Sequence, residues 1–182
     1  MHLGNLLKST SKNYRKIPVK GISFDSRKIK RKDIFFAIRG NKTSGTNFIN
    51  DAISRGASAI VSSKKIKYKN RQIPLLLVKD VRKSLSEACS KFYRKKSPNI
   101  IAVTGTNGKS SVADFFYQIL NFNRISVASI GTLGIFSKNY CKKTNLTSMD
   151  PLSLHKSLEI LAKNKVNHVI LEASSHGLKQ KR

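Results

Sequence analysis

Apolar residues recur along this chain with two periods, and the alternation between them sets the expected elements. Residues 34–38, 57–62, 74–78, 99–103, 125–130 and 168–171 are short, nearly continuous apolar runs rich in β-branched and aromatic side chains. That is the pattern of strands covered on both faces. Between them, apolar residues fall three and four apart. Phe48, Ile49, Ala52 and Ile53 make one helical face over 48–55, stopped by Gly56, and Val81, Leu85, Ala88, Cys89 and Phe92 make another, capped by Asp80. Val112, Phe115, Phe116, Ile119 and Leu120 predict a third helix with one inner face. Leu154, Leu158 and Leu161 predict a fourth, with Asp150 as cap and Pro151 at the first helical position. Residues 1–20 carry little pattern and read as a lead-in, while 64–71 and 137–148 are polar and read as loops. There is no internal repeat and no low-complexity segment.

Strands alternating with helices predict an α/β chain. Residues 1–95 are expected to form a small α/β domain, closed by the basic, proline-ended linker 94–98. Residues 96–182 read βαβαβ, the start of a parallel sheet that binds its ligand at the carboxyl ends of its strands.

The chemistry concentrates in residues 99–114, NIIAVTGTNGKSSVAD: strand, turn-forming loop, helix. Backbone N–H groups of the loop and of the first helical turn need partners, and the helix dipole favours an anion there. Gly105 and Gly108 let backbone approach phosphate oxygens, Lys109 can neutralise the β/γ-phosphates, and the Ser110 hydroxyl can ligate Mg²⁺. The loop is shorter than G-x-x-x-x-G-K-[ST], since Val103 stands where the first glycine would be. Glu172 ends an apolar strand at the same sheet edge, where its carboxylate can complete a Mg²⁺ shell with Ser110. Ser174-Ser175-His176 lacks the G-x-S-x-G surround of a nucleophile elbow and is not read as a catalytic pair. His155 is expected at the surface.

Charge changes the picture less than its size suggests. Lys and Arg number 36 against 9 Asp and Glu, a net +27 over 182 residues, but they are spread along the whole chain and accompany no nucleic-acid motif. Solvated lysine-rich faces and a polyanionic small-molecule substrate explain them, and no specific nucleic-acid partner is expected. Cys89 and Cys141 have no metal or redox spacing, and no apolar run reaches membrane-spanning length, so a cytoplasmic protein is expected.

Thr104-Gly-Thr-Asn-Gly-Lys-Ser110 together with Glu172-Ala-Ser-Ser-His-Gly-Leu178 and Gln180-Lys-Arg182 resembles the Mur ligase family. The loop alone indicates the wider superfamily that also holds the folylpolyglutamate ligases. The string after Glu172 resembles the branch that adds the third residue of the peptidoglycan stem peptide. Upstream, Asp25-Ser-Arg27, Phe35-Phe-Ala-Ile-Arg-Gly40 and Gly45-Thr-Asn-Phe-Ile-Asn-Asp-Ala52 resemble the family's uridine-nucleotide domain.

The resemblance implies ATP-dependent amide ligation through an acyl phosphate, with ATP and Mg²⁺ required. The implied substrates are UDP-N-acetylmuramoyl-L-alanyl-D-glutamate and an amino acid, diaminopimelate or lysine, and a monomer is implied at full length. It places uridine-nucleotide contacts on Phe24, Ser26, Asn41, Lys42 and Thr43, and muramoyl-peptide contacts on Thr147, Ser148, Ser174, Gln180 and Arg182. ATP phosphates fall on Gly105, Thr106, Asn107, Gly108, Lys109, Ser110 and Ser111, and Mg²⁺ on Ser110 and Glu172, with Lys109 and Glu172 in catalytic roles.

Lys32 stands where the family usually has glycine, Ser44 where it has aspartate, and Leu146 where many members have asparagine. The chain is expected to be an amino-terminal piece of such a ligase that binds the uridine nucleotide, holds ATP weakly at best and does not turn over. Its incomplete sheet is expected to leave a strand edge and apolar surface exposed. Two other readings stay open, another ligase of the superfamily and a non-catalytic nucleotide- or nucleic-acid-binding protein.

Overall fold

The apolar runs of the first half pair side by side. In the computed structural model, which describes residues 1–8, 10–40, 43–68, 70, 72–144 and 147–182, the chain forms two compact units, Met1–Phe92 and Tyr93–Arg182. The first contains helix α1 (Leu3–Leu6), strands β1 (Gly21–Ser23) and β2 (Asp33–Phe36), helix α2 (Ile49–Ser54), strands β3 (Ala59–Ser62) and β4 (Leu75–Leu77), and helix α3 (Val81–Phe92). Its sheet is parallel throughout, in the order β1-β2-β3-β4. Every residue of β2 and β3 is buried, as a sheet covered on both faces requires. Phe35 and Ile60 pack with Ile49 and Ala52 of α2 on one side. Asp80 caps α3, accepting the Lys83 N–H at 3.0 Å.

The described residues among the first twenty hold more structure than their pattern predicts. Leu3, Leu6, Leu7 and Val19 are buried, α1 packs on α3, and Lys91 Nζ donates to the Leu6 carbonyl. A four-residue helix is too short for its period to register in sequence.

The second unit contains β5 (Asn99–Val103), α4 (Lys109–Phe122), β6 (Val127–Gly131), β7 (Gly134–Ser137), β8 (Tyr140–Lys142), α5 (Pro151–Lys163), β9 (His168–Glu172) and α6 (Ser175–Lys179). The sheet order is β5-β9-β6-β7-β8: the first three strands are parallel, and β6, β7 and β8 form an antiparallel meander. That meander corrects the expected loop over 137–148, because β7 and β8 turn at Lys138 and Asn139 within it. The Asp150 side chain accepts the Ser153 N–H and Pro151 opens α5, as expected. Leu158 and Leu161 of α5 are buried against Ala128, Ile130, Ile135 and Val169.

The inner face of α4 also needs correcting. Ala113 is its buried residue and Phe116, Tyr117 and Leu120 are half-buried, whereas Val112, Phe115, Ile119 and Phe122 are exposed, Phe122 at 87%. β5 is an edge strand with Ile100 exposed, so the expected open edge and apolar surface are both present. Among the described residues no helix is long and apolar enough to cross a membrane.

His155 is not at the surface. It is half-buried on α5, its Nδ1 has no hydrogen-bond partner, and burial, followed by the charge of Lys96, lowers its pKa from 6.5 to about 4. The unfolded chain therefore takes up a proton before the folded one does. Its contribution to stability is intact above pH 6.5 and lost as pH falls from 6.5 towards 4. His155→Gln should flatten the acid-side fall of the thermal midpoint in that window; an unchanged slope contradicts the assignment. Lys32 has a left-handed backbone, φ 73°. That conformation costs a side chain about 1–2 kcal/mol, against about 0.4–1 kcal/mol of unfolded-state entropy lost with glycine. Lys32→Gly should therefore raise stability by about 0.5 kcal/mol in denaturant titration, and a loss counts against it.

Candidate functional site

In the second unit the three parallel strands deliver their following residues to one sheet edge. Val103 of β5 pairs with Glu172 of β9, and Ile130 of β6 pairs with Leu171. The loop 104–108, residues 173–174 and Thr132 thus share the carboxyl edge, where open α/β sheets bind ligands.

Gly108 stands immediately before α4 with φ 77° and Gly105 has φ 144°. A Cβ at Gly108 would meet nothing within 4 Å, so its backbone conformation, not space, calls for glycine. No side chain caps α4, which leaves the first-turn N–H groups directed at the loop. Thr106, Asn107 and Ser111 are exposed around it. Lys109 folds back on the loop, its Nζ donating to the Gly105 and Thr106 carbonyls at 2.9 and 3.1 Å. An ammonium has three N–H groups, so one remains for a phosphate.

Ser110, in the first turn of α4, donates its hydroxyl to Glu172 Oε2 at 2.8 Å. Glu172 is 5% exposed, and its other bonds come from Thr132, whose N–H donates to Oε1 at 2.9 Å and whose hydroxyl donates to Oε2 at 3.1 Å. With 36 Lys and Arg in the chain, no salt bridge to this carboxylate is found among the described residues. With no basic side chain paired to it, this carboxylate is not committed to a protein cation and its oxygens can serve a metal ion. The donors at hand are hard oxygens, one carboxylate and one hydroxyl, a set that suits Mg²⁺ completed by phosphate oxygens. Among the described residues no group of three or more His, Cys, Asp or Glu offers a protein-only metal site.

Ser148 and Ser174 lie beside this carboxylate. Ser148 Oγ donates to the Glu172 carbonyl at 3.2 Å, accepts the Ser174 N–H at 2.8 Å and lies 3.0 Å from Ser174 Oγ. Arg182 Nη1 donates to the Ser148 carbonyl at 2.9 Å. Ser174 Oγ accepts the Gly177 N–H and caps α6, while His176 pairs with Gln180, so no Ser–His nucleophile pair forms. Gln180 accordingly stands apart from Ser148 and Arg182 in its hydrogen bonding. A cavity of about 140 Å³ lined by Ser110, Asp114, Tyr117, Gly131 and Glu172 adjoins one side of the carboxylate. A smaller one of about 40 Å³, lined by Thr147, Ser148, Leu178 and Arg182, adjoins the other.

The remaining candidates belong to the first unit. Phe24 and Ser26 follow β1 and Thr43 follows β2, so they lie beyond the carboxyl ends of adjacent parallel strands. Phe24 and Thr43 are exposed and Ser26 is buried. The Ser26 hydroxyl, and after it Arg55, holds the Asp51 carboxyl below its ordinary range; the Arg27 side chain does the same for Asp25. Ser44 accepts the Thr46 N–H, a capping part that aspartate also plays. Asn41, Lys42 and Leu146 lie outside the described residues.

Sequence reasoning passed over Thr132 and Gly131. A Cβ at Gly131 would collide with the Glu172 carboxylate, so only glycine admits this approach of β6 to β9. The signal available was a Gly-Thr pair directly after an expected strand of the same sheet.

Comparison with known proteins agrees with this geometry. The family described as "Mur ligase family, catalytic domain" matches residues 18–93, and "Mur ligase middle domain" matches residues 103–182. The chain is 43% identical over 166 residues to UDP-N-acetylmuramoyl-L-alanyl-D-glutamate--2,6-diaminopimelate ligase of Rhizobium meliloti, covering 91% of this chain and 34% of that protein. It is 45% identical over 169 residues to the protein of that name from Rickettsia conorii, covering 90% and 35%. The chain thus spans about a third of the length of the curated relatives it matches. A solved structure of a ligase of the same name superposes with TM-score 0.81 at 28% identity, over 100% of this chain and 37% of that one. The crystal structure of MurF ligase from Thermotoga maritima in complex with ADP gives 0.56 at 25% identity, over 86% and 32%. With both units matched in sequence, the chain belongs to the Mur ligase family.

Proposed function

We propose that this chain supplies the uridine-nucleotide and phosphate-loop parts of an ATP-dependent amide ligase of peptidoglycan precursor synthesis. The ligase joins a third amino acid to UDP-N-acetylmuramoyl-L-alanyl-D-glutamate in the cytoplasm. 2,6-Diaminopimelate is the residue named for the relatives, and we take it as the one added here. Residues 1–95 serve as the uridine-nucleotide domain and 96–182 as the opening of the ATP domain.

The observation that carries this reading is the Ser110–Glu172 hydrogen bond of 2.8 Å, which joins the phosphate loop to a buried carboxylate without a basic partner. In the reaction, an oxygen of the D-glutamyl carboxylate attacks the γ-phosphorus of ATP, and the bond to the ADP oxygen breaks. The amine of the incoming amino acid then attacks the acyl carbon, and phosphate leaves with the amide formed. Residues 105–111 hold the phosphates through backbone N–H groups, and Lys109 places its remaining N–H on the transferring group. Ser110 and Glu172 would hold Mg²⁺, which when bound neutralises charge on the phosphates. Thr147, Ser148, Ser174, Gln180 and Arg182 hold the muramoyl-peptide, with Arg182 suited to a carboxylate or phosphate by its planar fork. Phe24, Ser26, Asn41, Lys42 and Thr43 hold the uridine nucleotide.

Calorimetric titration with UDP-N-acetylmuramoyl-L-alanyl-D-glutamate at physiological salt tests this. Saturable binding is expected, weakened about tenfold in Arg182→Ala by loss of a charge-assisted hydrogen bond, and weakened also in Ser26→Ala. Absence of binding by a chain with native circular dichroism contradicts the assignment.

A further inference from the structure

Thr132 belongs to neither the phosphate loop nor the muramoyl-peptide contacts, yet it makes two of the three hydrogen bonds to Glu172. Its N–H takes Oε1 at 2.9 Å and its hydroxyl takes Oε2 at 3.1 Å, while Ser110 supplies the third at 2.8 Å. A carboxylate has about four lone-pair directions, so these bonds fix the group's rotation and leave one direction unassigned.

The placement of Thr132 is rigid. Thr132 and Leu133 are the whole connection between β6 and β7, whose last and first residues, Gly131 and Gly134, pair across the turn. Thr144 Oγ1 donates to the Gly131 carbonyl at 2.8 Å, holding the strand end from the far side. The hydroxyl also faces two acceptors. Thr132 Oγ1 lies 2.9 Å from Thr147 Oγ1 as well as 3.1 Å from the carboxylate. A hydroxyl has one proton and a carboxylate only accepts. The Thr132 hydroxyl proton is therefore shared between two acceptors, Glu172 Oε2 and Thr147 Oγ1. The side chain itself is exposed, so packing does not explain its type.

We propose that Thr132 is a positioning residue, which holds the Glu172 carboxylate in the orientation that receives the divalent cation of the bound nucleotide. The inference rests on the phosphate-loop reading above. Residues that orient a metal ligand change metal affinity by about 10–100-fold when removed.

The test uses the chain with millimolar ADP and Mn²⁺ as the paramagnetic probe, followed by electron paramagnetic resonance and by water proton relaxation. Thr132→Val keeps the β-branched shape and removes the hydroxyl, and Thr132→Ser restores the hydroxyl alone. In Thr132→Val, Mn²⁺ affinity in the presence of ADP should fall about tenfold. Metal-free ADP binding and the circular dichroism spectrum should stay as in wild type, and Thr132→Ser should recover most of the loss. Wild-type Mn²⁺ affinity in Thr132→Val overturns the proposal. So does equal loss of metal-free ADP binding, which marks a structural role, or a Thr132→Ser chain as weak as Thr132→Val. A wild-type chain that binds no ADP with Mn²⁺ overturns the phosphate-loop reading, and this proposal with it.

Discussion

The second unit depends on one buried carboxylate and the donors gathered around it. Glu172 reaches Ser110 only because β9 lies between β5 and β6 with Val103, Glu172 and Gly131 level at the carboxyl edge. A one-residue slip in parallel pairing would turn the glutamate to the other face of the sheet. Gly131 then has to lack a side chain so that the carboxylate can lie against β6. The hydrogen bond from Ser110 draws the hydroxyl proton towards Glu172 and leaves the Ser110 oxygen electron-rich, which suits a hard cation. Helix dipole, lysine and carboxylate are thus arranged around one point, as phosphoryl transfer requires.

How much of this was legible depended on whether the determining contacts are local. The phosphate loop could be read because its glycines, lysine and serine are consecutive and each has a separate physical reason to be there. The caps at Asp80 and Asp150 were legible for the same reason. Thr132 was not, since its part exists only once β6 has paired with β9, 40 positions along the chain. The β7–β8 hairpin was hidden because its turn and the short, largely exposed β8 carry lysines and asparagine, where alternation is weak.

The apolar stripe of α4 shows a different limit. Its period identified a helix correctly, but a stripe including Val112, Phe115 and Ile119 is wider than the contact the sheet makes, and these three stay exposed. Periodicity says that an apolar face exists and does not say which part of it is covered. His155 is the converse case, a polar residue beside a leucine stripe whose burial depresses its pKa. Lys32 departs from the usual glycine, and its left-handed backbone supplies the physical reason glycine is usual there.

The most direct test of the central claim is the metal dependence of nucleotide binding. Titrating the chain with ADP in the presence of Mg²⁺ and in the presence of a chelator, for wild type and Glu172→Gln, isolates the carboxylate's charge while keeping its shape. Mg²⁺ is expected to tighten ADP binding by about tenfold in wild type and to have little effect in Glu172→Gln. The same Mg²⁺ dependence in both chains would contradict the assignment of Glu172 to the cation of the nucleotide.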